Sequence, residues 1–137
     1  MQYRKDQSGY VVVLEKGERV VETLNAFFRK EGILGGLVSG IGALDQAELM
    51  SYDVASKTYI SKMFEGEFEL CSLSGSVTEK GLHAHVTLAG VMGKNEACFG
   101  GHLKEGRIHV TGEFFVIPFE PVKKKYSEEI GLDVIRL

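Results

Sequence analysis

Tryptophan is absent from this chain of 137 residues, and cysteine and proline occur only twice each. Two cysteines cannot build a disulfide framework. Cys71 and Cys98 both stand in apolar runs, so they are expected to be small core residues in a reducing compartment, the cytoplasm. Unbroken apolar stretches are only a handful of residues long, which excludes a membrane-spanning helix of about 20 residues. The segment Met1-Gln2-Tyr3-Arg4-Lys5-Asp6 lacks the apolar core of a signal peptide. Basic excess is missing too. Lys plus Arg number 16 against 19 Asp plus Glu, a net charge of −3, so nucleic-acid binding through an overall field is excluded and would need a local patch. With 44% hydrophobic and 26% charged residues, the composition is that of an ordinary globule, not of a disordered chain, collagen or a coiled coil. The length suits a single domain over residues 1–137.

Glycine, by contrast, is plentiful at 17 residues. Many glycines with few prolines point to tight strand corners and close backbone approach, not to a linker. Tyr10–Leu14 is β-branched and short, a strand. Between Arg19 and Lys30 the apolar residues Val20, Val21, Leu24, Phe27 and Phe28 repeat with helical spacing, and Gly32 follows as a stop. Everything after Gly35 has the pattern of sheet. Leu37–Leu44 is an apolar strand bent at Gly40 and Gly42, and Ala47–Tyr52 and Thr58–Phe64 form a hairpin around Asp53–Lys57. Phe68–Val77 alternates, with Phe68, Leu70, Ser72 and Ser74 on one face and Glu69, Cys71 and Leu73 on the other. Leu82–Ala89 alternates cleanly, placing Leu82, Ala84, Val86 and Leu88 opposite His83, His85 and Thr87. Ala97–Leu103 follows, Gly106 turns the chain, and Arg107–Phe119 is the longest strand. Lys123–Tyr126 is a basic, solvated segment, and Leu132–Leu137 a closing strand. One helix packed on a large, mostly antiparallel sheet defines an α+β domain.

Three of the four histidines carry the sharpest chemical pattern. His83 and His85, at i and i+2 on a strand, leave the same face about 7 Å apart at the backbone. His102 follows directly behind Gly100-Gly101, where the missing side chains let the backbone approach a neighbouring strand. Imidazole nitrogens suit a divalent transition metal such as zinc, with a fourth position left for water or a carboxylate. The alternative is three polar side chains with ordinary hydrogen bonds on a solvent face. Glu69 and Glu113 stand inside apolar runs and are candidates for a fourth ligand or an acid/base group; Glu67 is expected to meet water, and His109 to be structural or solvated. Ser39 lacks the strand-to-helix setting of a nucleophile elbow, and Gly40-Ile41-Gly42 is too short for a dinucleotide fingerprint. The run Lys123-Lys124-Lys125 is the one basic cluster, and a solvated face is its expected fate.

Four blocks in order, Leu37-Val38-Ser39-Gly40-Ile41-Gly42-Ala43-Leu44, Phe68-Glu69-Leu70-Cys71-Ser72-Leu73-Ser74-Gly75, Leu82-His83-Ala84-His85-Val86-Thr87-Leu88 and Phe99-Gly100-Gly101-His102-Leu103, resemble the plants and prokaryotes conserved (PPC) domain. The resemblance implies a compact α+β domain that assembles as a homotrimer, with a fold like that of acetolactate decarboxylase, whose metal is held by histidines. It also matches His83, His85 and His102 to the histidines of stand-alone prokaryotic members. Plant members carry an AT-hook, an R-G-R-P type segment that reads A·T-rich DNA; none occurs in this sequence, so specific DNA binding is not expected. Three readings remain open: a homotrimer with a three-histidine zinc site, binding or enzymatic (a lyase acting on a small oxo acid); a DNA-associated regulatory module; and an interaction domain without a ligand. Likeness of fold to an enzyme does not establish an activity.

Overall fold

The computed structural model describes residues 1–136. Among them, eight strands and one helix follow in the order β1 (Gln2–Asp6), β2 (Gly9–Glu15), α1 (Val20–Glu31), β3 (Gly36–Asp53), β4 (Thr58–Thr78), β5 (Gly81–Met92), β6 (Asn95–Pro118), β7 (Lys124–Ser127) and β8 (Leu132–Ile135). The first six form one antiparallel sheet in the order β1-β2-β6-β3-β4-β5, and the N-terminal part of β6 returns to pair with β5. Strands β3, β4, β5 and β6 therefore close on one another. Strands β7 and β8 form a separate hairpin. The expected α+β class holds, with no helix of the described residues long and apolar enough to cross a membrane.

The strands are longer than the expected segments because bulges, not turns, join them. Leu37–Leu44 and Ala47–Tyr52 are one strand of 18 residues, with register shifts at Gly40/Gly42 and Leu44/Gln46. Thr58–Phe64 and Phe68–Val77 are likewise one strand, and Gly106 does not turn the chain. It sits buried within β6 opposite Ala47, where a Cβ would lie 3.1 Å from the Leu44 side chain, so packing explains the glycine. Bulges also reset the alternation. The irregularity between Leu70 and Ser72 moves Leu73 onto the buried face with Phe68 and Leu70, and leaves Cys71 outside. Cys71 and Cys98 are thus exposed free thiols, contrary to the core role expected of them. On β6, Gly112 faces Gly42 while Ile108 faces Leu44; the additional β6 residues bulge, and Val110 is left 63% exposed. The basic Lys123–Tyr126 segment mostly becomes β7, and Leu132–Ile135 pairs with it as β8; Leu137, included in the expected closing strand, lies outside the described residues.

Helix α1 matches its expected span to within a residue. Its stripe of Val20, Leu24, Phe27 and Phe28 is buried against the inner face of the sheet, with β2 residues Tyr10, Val12 and Leu14 and β6 residues Ile108, Phe114 and Val116 in the same core. Gly32 ends the helix at φ 69°, a conformation that side chains resist. The N-terminus has no local side-chain cap, because Arg19 supplies none. Glu105 on β6 takes that place: its two carboxylate oxygens accept the backbone N–H groups of Val21 at 2.8 Å and Glu22 at 3.1 Å. A carboxylate is well matched to the positive end of the helix dipole. Glu105→Ala is therefore expected to destabilise the fold by about 1–2 kcal/mol, the worth of a cap plus its charge, measured by urea unfolding. Unchanged stability would show the cap to be incidental.

Candidate metal centre

The histidine site is a product of strand register. His83 and His85 project from the outer face of β5 while Ala84 and Val86 between and after them face the core. Strand β6 crosses beside them so that His102 is the direct cross-strand partner of His85 and also pairs with Met50 on β3. Glycines permit that approach: a Cβ on Gly100 would run into the carbonyl oxygen of Val86, and one on Gly101 would stand 3.2 Å from the carbonyl oxygen of Met50. Ring centroids are 5.1 Å apart for His83 and His85, 5.0 Å for His83 and His102, and 5.6 Å for His85 and His102. One nitrogen of each ring lies within 4.8 Å of the other two. No Asp, Glu or Cys joins the cluster among the described residues.

The rings of His83 and His102 border an open cleft of about 390 Å³, lined also by Tyr59, Leu82 and residues of the β7–β8 hairpin. The Tyr59 ring lies 5.6 Å from that of His102. The hairpin is tied down on its own account. Tyr52 donates its hydroxyl to the Ile130 carbonyl at 2.7 Å, Lys80 pairs with Asp133 at 2.6 Å, and the Glu79 carboxylate accepts the Lys124 N–H at 2.7 Å. Lys124, Leu132, Asp133, Val134 and Ile135 thereby face the cleft. Desolvation and the neighbouring charges disfavour protonation of two of the rings. Desolvation, then the Lys124 ammonium and His85, push His83 below the usual histidine range; desolvation, then His83, His85 and Lys124, push His102 down to about 4. Neutral imidazole is the form that can ligate a metal.

The sign of this effect on stability is fixed. The fold favours neutral His102, whereas the unfolded chain takes up its proton near pH 6.5, so stability is lost as pH falls from about 6.5 towards about 4. In EDTA-treated protein, the melting temperature should drop more between pH 7 and pH 4.5 for the native chain than for His102→Gln. An equal drop would remove the half-buried His102 ring from the account.

The other candidates lie elsewhere. Glu69 sits on β4 opposite Ala43 and Ala89, and Glu113 on β6 opposite Val13 and Ile41, 11 residues (113 − 102) beyond His102 along the strand. Both line a different depression with Ile41, Cys71 and Val110, so neither is placed as a fourth ligand or acid/base group of the histidine cluster. Glu67 is exposed but stands 3.6 Å from His109 Nε2, and Asp45 lies 3.6 Å from His109 Nδ1. His109 Nδ1 is buried without a hydrogen bond. Lys124 is the cleft residue that sequence reasoning missed. Its only signal was the three-lysine run, and placing it needed the hairpin's return path over β5.

The architecture is that of an α+β domain with a three-histidine cluster on the outer face of its sheet. The sequence matches the Plants and Prokaryotes Conserved (PCC, also written PPC) domain family over residues 1–120, and the chain belongs to that family. The β7–β8 hairpin lies beyond the matched span. A curated relative, the bifunctional protein GlmU of Synechococcus sp. (strain JA-3-3Ab), is 32% identical over 122 residues, which is 88% of this chain. The chain spans only 18% of that relative's length. Among solved structures, a candidate DNA-binding protein from Bacteroides thetaiotaomicron superposes with a TM-score of 0.91 at 29% identity, covering 98% of this chain and 96% of its own. The metal-containing protein AF0104 from Archaeoglobus fulgidus superposes with a TM-score of 0.83 at 28% identity, covering 99% of this chain and 97% of its own.

Proposed function

We propose that this PPC-domain protein holds one divalent metal ion, zinc by preference, on His83, His85 and His102, and works as a homotrimer whose clefts bind a small molecule. The observation that carries the metal is the convergence of three ring nitrogens within 4.8 Å at the mouth of a cleft. Three nitrogen donors match the ligand set that zinc accepts while keeping one position open. A zinc ion bound there supplies Lewis acidity. The chain's own part is to hold His83 and His102 below the usual histidine range, to fix the three imidazoles by the β5–β6 register, and to shield one side with the hairpin. The relative named as metal-containing supports this reading. Glu69 and Glu113, the acid/base groups that a lyase acting on a small oxo acid would need, lie off the cleft. Ligand binding is accordingly the function the arrangement supports best.

The experiment is zinc titration calorimetry on tag-free, chelator-treated protein at pH 7.5. One site per chain of micromolar affinity or better is expected, weakened by about a hundredfold or more in His102→Ala, since loss of a supporting group alone costs about 10–100-fold. Absence of zinc binding, or unchanged affinity in the variant, would contradict the proposal.

Assembly follows from the same outer face of the sheet that carries the histidines, where the cross-strand rows Ile117, Leu37, Ser76, His83 and Phe115, Ser39, Ser74, His85 run across β6, β3, β4 and β5. Leu37 and Ile41 on β3 and Phe115 and Ile117 on β6 are exposed side by side, Phe115 at 55%. A contiguous apolar patch of this kind marks an interaction surface. Light scattering should find a trimer, and Phe115→Glu should shift it to monomer; a monomeric native chain at micromolar concentration would refute the assembly. A DNA-associated role is the rival that the Bacteroides relative's name raises. The net charge of −3 and the turning of Lys124 into the cleft argue for no more than weak, salt-sensitive association with duplex DNA. The two exposed thiols fit a reducing compartment such as the cytoplasm.

A further inference from the structure

We propose that the histidine cleft binds a small aliphatic carboxylate, its head group held between the metal ion and the Lys124 ammonium and its hydrocarbon body against Leu132, Val134 and Ile135. The inference rests on the metal reading above and adds the class of ligand. It starts from charge. Imidazole ligands are neutral, so a divalent ion on His83, His85 and His102 keeps its full charge, and no carboxylate joins the cluster among the described residues. Lys124 adds another positive charge to the same cleft.

The local carboxylates do not cancel it. Asp133 is engaged by Lys80 at 2.6 Å, and Glu79 keeps its charge but uses its hydrogen bond on the backbone N–H of Lys124, without an ion pair to the ammonium among the described residues. No ion pair of the Lys124 ammonium is present among the described residues, although the side chain is half-buried in the hairpin. A half-buried cation beside a metal site opposes metal binding unless an anion lies between the two. The arrangement thus has a place for one negative group with two positive partners.

The rest of the cleft describes the body of the ligand. Leu132, Val134 and Ile135 offer a hydrocarbon wall, and a volume of about 390 Å³ is near the low end of small-molecule sites, which begin at about 300 Å³. A short-chain acid fits these walls better than a bare phosphate. Phosphate sites draw on arginine forks or on the free N–H groups of a helix N-terminus. Here no arginine lines the cleft, and the N-terminus of α1 is closed by Glu105.

The test uses the full chain loaded with cobalt(II), whose visible absorption reports both metal uptake and changes at the open position. Acetate, butyrate and inorganic phosphate are titrated into the native protein, Lys124→Met and Lys124→Arg. Butyrate should bind about 15-fold more tightly than acetate, since each of its two extra methylenes is worth about fourfold when buried. Lys124→Met should weaken butyrate by about tenfold or more, as expected for a lost charged hydrogen bond, and leave cobalt affinity equal or tighter. Lys124→Arg should stay within about threefold of the native affinity, because it restores a charged donor. Cobalt uptake with butyrate affinity indifferent to Lys124→Met overturns this inference and leaves the metal site standing. Phosphate binding more tightly than butyrate overturns the carboxylate class. Failure of the native chain to take up cobalt removes the metal reading, and the inference with it.

Discussion

The pairing of β5 with the start of β6 is the constraint on which the site depends. It closes the sheet on itself and sets His102 directly across from His85. It also requires that nothing project from Gly100 towards the Val86 carbonyl. A side chain there would push the two strands apart at the place where the rings meet. The same pairing sends β6 onward past Glu105, which caps the helix, so one long strand links the site, the sheet closure and the start of α1.

Electrostatics then decides what the site can hold. Partial desolvation, the neighbouring rings and Lys124 hold His83 and His102 below the usual histidine range. In the proposed function the three imidazoles receive a cation and Lys124 helps to receive an anion, with Asp133 paired to Lys80. The outer face of β2, β3 and β6 has a different character. It is apolar around Phe115, the surface through which assembly is proposed.

Much of this was legible in the amino-acid order, for physical reasons that differ by element. The helix showed itself because Val20, Leu24, Phe27 and Phe28 recur at its period and Gly32 is the residue that a left-handed end demands. The histidine trio showed itself because i, i+2 on a strand is a same-face relation. Strand lengths were hidden, since a bulge and a turn both present as a break in alternation; Gly106 and the junction at Asp45 could not be told from corners by local pattern. The same resetting concealed the exposure of Cys71. Glu69 and Glu113 were misleading for another reason. A carboxylate within an apolar run signals an unusual environment, but its distance from a site depends on how far along the strand it lies. Lys124 was invisible as a site residue because its approach to His83 and His102 is set by hydrogen bonds and an ion pair from Tyr52, Glu79 and Lys80, all remote in sequence.

X-ray absorption at the zinc edge, on tag-free protein reconstituted with one equivalent of zinc, tests the central claim most directly. The account predicts a shell with three imidazole nitrogens at about 2.0–2.1 Å and no sulfur. Sulfur scattering at about 2.3 Å, which would point to Cys71 or Cys98, or a spectrum of hydrated zinc free in solution would contradict it.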